Sequence, residues 1–114
     1  MTTLSLEASK KLYELIGEYE TELHWAVAKP NEMSCFEPLD ISGWENEYLE
    51  KWQAFIPAPN FAELIRVLPK VGEKKGWSPY DEPLDIKHLV SRYIFAPTEP
   101  EGMHQVEEYL MKLL

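Results

Sequence analysis

Three stretches of this chain set apolar residues at helical spacing directly behind a capping residue, and no other feature limits its fold so strongly. Ser5 precedes Ala8, Leu12, Leu15, Ile16 and Tyr19, with Glu7 in the first turn. Asn60 precedes Phe61, Leu64, Ile65 and Leu68, with Glu63 at capping-box distance. Thr98 precedes Met103, Val106, Leu110 and Leu113, with Pro100 in the first turn and Glu101 three after the cap. Steps of three and four put each set on one helical face, and the caps satisfy amide groups that a helix start leaves bare. The patterns predict helices over Ser5–Ile16, over Phe61–Leu68, and from Thr98 onward. Gly17 is a natural end for the first, because glycine enters the left-handed region cheaply. Pro69 is expected to stop the second, since an internal proline loses a bond and clashes with the preceding turn.

Elsewhere the period changes. Leu23, Trp25 and Val27 alternate with Glu22, His24 and Ala26, the signature of a half-buried strand. Phe55–Pro59 reads as extended, because residues before proline avoid the helical region. Residues 31–43 read as a loop, with room for a short strand around Cys35 and Phe36. Trp44, Tyr48, Leu49 and Trp52 have helical spacing, which suggests a short helix over 44–52. Residues 70–83 read as a polar connection pinned by Trp77 and Tyr80. Behind Asp85, a helical period through Ile86, Leu89, Val90, Tyr93 and Ile94 competes with a run of strand formers; the period is the stronger signal and predicts a helix. Helices and strands in no alternating order define an α+β chain. The expected architecture is one domain, 1–114, with three to four helices on a small antiparallel sheet or hairpin.

Charge narrows the partners. Twenty acidic and eleven basic residues give a net charge of −9 over 114 residues. Between Pro30 and Glu50 stand Glu32, Glu37, Asp40, Glu45, Glu47 and Glu50, and no base. Such a field repels nucleic acid and anionic lipid, so neither is expected as a partner; a basic protein is the class that suits it. Solubility is the plainer explanation of the same charge. A composition 45% hydrophobic and 27% charged is that of a globular chain rather than a disordered one. One cysteine, Cys35, forms no intrachain disulfide and requires no oxidising compartment. The opening residues lack signal-peptide features and no apolar run approaches the roughly 20 residues of a membrane span. A cytoplasmic location is expected.

No residue set dictates a chemistry. Cys35 with His24 or His88 as base is the one nucleophile pairing on offer, but its flanks match no nucleophile signature, and a lone cysteine is often simply buried. Glu101, His104 and Glu108 share spacing suited to one side of the last helix, yet a further metal ligand is not evident. Glu14, Glu18 and Glu22 are four apart, with Gly17 breaking the helix between them, and no calcium loop is present. The glycines at 17, 43, 72, 76 and 102 are isolated and make no phosphate-binding loop. No catalytic, cofactor-binding or metal residues are assigned, and no cofactor is expected. The aromatics are more informative. Tryptophans fill small cores, but they also favour interfaces, and Trp44, Tyr48 and Trp52 lie amid acids. Trp44, Glu45, Glu47, Tyr48, Glu50 and Trp52 are the candidate interaction surface.

Three stretches together carry a resemblance. They are the opening Leu4-Ser-Leu-Glu-Ala-Ser-Lys-Lys-Leu helix leading to the strand around Trp25, the segment Ile56-Pro-Ala-Pro-Asn-Phe-Ala-Glu-Leu-Ile-Arg-Val-Leu-Pro-Lys, and the closing Ala96-Pro-Thr-Glu-Pro-Glu-Gly followed by a leucine-rich helix. In this order the chain resembles small uncharacterised proteins of bacteriophages and prophages, over about half its length. The acidic 31–50 segment and the helix near 85–95 depart from that pattern. The resemblance implies a mobile-element origin and a cytoplasmic accessory role, and it transfers no catalytic residues.

The leading expectation is a non-enzymatic, acidic interaction protein that binds a basic partner. A small enzyme or ligand-binding domain is the rival, with His24, Cys35, His88 and Tyr93 as the residues to inspect. A nucleic-acid mimic that inhibits a host defence protein is a further alternative. The oligomeric expectation is a monomer, or a homodimer formed through the last helix.

Overall fold

A computed structural model of the chain describes residues 2–30, 35–77 and 85–114. Their elements run α1 (Leu6–Ile16), β1 (Leu23–Val27), α2 (Asn46–Leu49), β2 (Ala54–Ala58), α3 (Phe61–Lys75), α4 (Ile86–Ile94) and α5 (Glu99–Leu113). Five helices and a two-stranded antiparallel sheet make an α+β fold, one helix more than the upper expectation. The caps act as the residue types require. Ser5 accepts from the Ala8 amide, Asp85 from that of His88, and Thr98 from that of Glu101. At α3 the box is reciprocal: Asn60 accepts from the Glu63 amide at 2.9 Å and Glu63 from the Asn60 amide at 3.0 Å.

The core lies among the helices. Leu4, Ala8 and Leu12 meet Leu64, Leu68 and Val71 of α3, Leu89 of α4, and Met103, Val106 and Leu110 of α5. Each leucine buried here contributes about 1.5–3 kcal/mol of apolar transfer. The apolar stripe of α5 thus packs into this core, with Met103, Val106 and Leu110 buried and Leu113 partly buried against them. The segment before α1 is held on three sides: the Leu4 amide donates to Pro59 O at 3.0 Å, Trp25 Nε1 donates to Leu4 O at 3.1 Å, and the Ser5 amide donates to Glu107 Oε1 at 2.7 Å.

Four expectations need correction. Pro69 does not stop α3; the helix runs on to Lys75 and ends at Gly76, whose φ is 69°. Pro69 is exposed, so its ring meets solvent. Two residues further, Val71 is fully buried in the core, which offsets the lost backbone bond. Second, the helix expected over 44–52 is only Asn46–Leu49, because Glu45 has no side-chain cap bond and the chain leaves it in tighter turns. Third, no strand forms at Cys35–Phe36. The short pairing on that edge of β1 lies instead at Leu39, which exchanges two backbone bonds of 2.8 Å with His24.

Fourth, β1 is not covered on one face alone. Directly opposite residues share a face, and the register pairs Ala26 with Phe55, His24 with Pro57, and Trp25 with Ile56. Ala26 and Pro57 on one face are buried, as are Ile56 and Ala58 on the other. The helices cover the second face. Residues 35–52 cover the first, and their Cys35 and Leu39 also occupy the free edge of β1. Within the 70–83 connection, Trp77 packs on the core as expected; Tyr80 lies outside the described residues.

Candidate functional site

Two turn devices carry the chain from the edge of β1 to the candidate surface. Asp40 Oδ1 accepts from the Ser42 amide at 3.0 Å and from the Ser42 hydroxyl at 2.6 Å, an Asx turn. These bonds hold the Asp40 carboxyl below the usual carboxylate range. The Trp44 amide then donates to Ile41 O at 3.1 Å, with Gly43 at φ 83°, a conformation that glycine adopts without strain. Gly43 is therefore required by the turn, and the turn aims Trp44 back at the sheet.

Trp44 meets Phe55 edge-on, with ring centroids 6.1 Å apart, and Trp52 meets the same ring at 6.5 Å. Phe55 is the shared platform. The sequence signal for it was present, because Phe55 alternates with the buried Ile56 and so had to face the other way. The three rings stand apart from the main core, which includes none of them. Tyr48 does not join this stack and is 50% exposed. Glu45, Glu47 and Glu50 are all exposed beside it. The six expected surface residues thus divide. Trp44 and Trp52 are half-buried supports, while Tyr48 and the three glutamates face solvent.

Gly43, Trp44, Glu45 and Tyr48 line an open hollow of about 350 Å³. Lys51, which the sequence did not single out, brings its Nζ to 5.2 Å from the centre of the Tyr48 ring, within cation–π range. Its position three residues after Tyr48, on a helical turn, was the available clue. Phe36, on the same covering segment, is 85% exposed.

The candidates for chemistry have separate partners. Cys35 Sγ accepts from the Ala26 amide at 3.2 Å. His24 Nε2 pairs with Glu18 Oε1 at 3.1 Å. His88 Nε2 accepts from Arg92 Nε at 2.7 Å and its ring lies 5.3 Å from that of Tyr109. Tyr93 stacks on Phe61 at 3.9 Å, and burial together with Glu99 pushes its hydroxyl above the ordinary tyrosine value. Of the suggested metal set, His104 and Glu108 form an exposed pair at 3.1 Å. Glu14 lies on α1, whereas Glu18 and Glu22 fall beyond the break at Gly17. Among the described residues no group of three or more His, Cys, Asp or Glu is placed to hold a metal ion.

Among the described residues no helix is long and apolar enough to cross a membrane. No protein-family model, curated protein or solved structure matches this chain.

Proposed function

We propose that the protein is a non-enzymatic interaction protein that binds a basic protein partner through residues 43–52. The observation that carries this is the division of labour in that segment. Trp44 and Trp52 are braced on Phe55, while Tyr48 and the carboxylates of Glu45, Glu47 and Glu50 face solvent. Exposed acids on a rigid aromatic base suit a partner of opposite charge. Charge speeds the encounter, and an aromatic contact with a rigid support holds it. The accessory role and mobile-element origin implied by the resemblance to phage proteins accord with this activity, as does a cytoplasmic site of action.

The test is capture of partners from bacterial lysate on tagged protein, at low and high salt, with wild type beside a Glu45→Gln, Glu47→Gln, Glu50→Gln variant. A basic protein retained by the wild type at low salt, and lost both at high salt and from the variant, supports the proposal. Equal retention by the variant, or no partner at either salt, contradicts it.

A further inference from the structure

The hollow beside Tyr48 has the composition of a cation subsite. We propose that it receives one arginine side chain of the partner, and that Lys51 occupies the Tyr48 ring in the free protein and competes with that arginine. This rests on the basic-partner reading and specifies where the partner's charge is read.

Four features converge there. The hollow, about 350 Å³, is at the small end of the roughly 300–1,000 Å³ range of ligand pockets, room enough for a side chain. Two of its four lining residues are aromatic, Trp44 and Tyr48, and a third is the exposed acid Glu45. Gly43 has open space where a side chain would stand, so backbone is accessible on that side. Lys51 Nζ already lies 5.2 Å from the Tyr48 ring centre, so this ring attracts a cation in the local field. A planar guanidinium stacks on an aromatic face and bonds a carboxylate with two parallel donors, and it is less strongly hydrated than an ammonium. That combination favours arginine over lysine. Whether the arginine takes the same face of Tyr48 as Lys51 or the opposite one, the two positive charges oppose each other, so removing Lys51 strengthens binding in both cases.

The probe is the peptide acetyl-Gly-Arg-Gly-amide, titrated into the full chain at low salt and followed by NMR shifts of the Trp44 indole and the Tyr48 ring. Its citrulline counterpart keeps the shape and removes the charge. The expected result is saturable shifts at Trp44 and Tyr48 with the arginine peptide, and binding at least several-fold weaker with citrulline. Tyr48→Ala abolishes the response and Tyr48→Phe keeps it. Lys51→Met tightens it by about two- to fivefold, the strength of an exposed cation–π contact. Tyr48 and Lys51 are exposed, so these variants keep the fold, and circular dichroism checks that they do. Equal response to citrulline, or no tightening in Lys51→Met, overturns the proposal. A basic partner that still binds Tyr48→Ala, but not the triple glutamine variant, overturns this subsite and leaves the interaction surface standing. A partner indifferent to both overturns the two together.

Discussion

Tyr19 shows how a single residue carries both a cost and a pH dependence. Its hydroxyl is buried with no hydrogen-bond partner. Burial first, and then the nearby Glu18 and Glu63 carboxylates, push its pKa well above the ordinary 10.0. The folded state therefore holds this proton more tightly than the unfolded chain does. Its contribution is fully present below about pH 10 and is lost as pH rises beyond that value. Tyr19→Phe removes the unpaired hydroxyl, so urea unfolding at pH 7 should show equal or greater stability, by up to about 2 kcal/mol. It should also flatten the decline above pH 10; a variant that loses stability at pH 7 would show that the hydroxyl has a partner. Gly102 makes the opposite case. Alanine is the better helix former by about 1 kcal/mol, but a Cβ here would stand 2.9 Å from Tyr93 O and 3.2 Å from Ala96 Cβ. Gly102→Ala should therefore lower stability, by about 1–2 kcal/mol on the scale of overpacked sites. A gain on denaturant unfolding would mean that α4 and α5 can separate without loss.

At the scale of elements, four helix starts were legible, whereas both bounds of α2 and the end of α3 were not. Ser5, Asn60, Asp85 and Thr98 are all N-caps, because capping is a local bond whose partners sit three residues away. Pro69 misled because its cost is also local, whereas Val71 gains from a core assembled by three other helices. This yields a test: Pro69→Ala should restore a bond to Ile65 and raise stability by about 1–2 kcal/mol, after allowing for a freer unfolded chain. No gain in melting temperature would indicate that α3 is already distorted to suit the proline. The alternation in 22–27 revealed β1 but not its second cover, which comes from residues 35–52 folding back across 26 residues of connection. Sequence period reports which face is apolar, not what will arrive to bury the other. The candidate surface was legible in part for the same reason. Acid clustering and aromatic spacing marked Trp44, Tyr48 and Trp52, while the exposure of Tyr48 alone depended on Phe55 as a tertiary platform.

For the molecule as a whole, the helical core and the acidic cover are distinct in role. The core residues come from α1, α3, α4 and α5, the segment leading into α1 and Tyr19 beyond it, and the cover rests on the other face of the sheet. Glu45, Glu47 and Glu50 are exposed, so replacing them with glutamine should change stability by less than about 1 kcal/mol. Partner binding should suffer instead. The most direct test is the affinity of wild type and this triple variant for the captured basic partner, measured across a series of salt concentrations. The wild type should bind more tightly at low salt and weaken steeply as salt rises, and the variant should bind more weakly with a flatter dependence. Identical affinities and identical salt slopes would contradict the assignment of residues 43–52 as the binding surface.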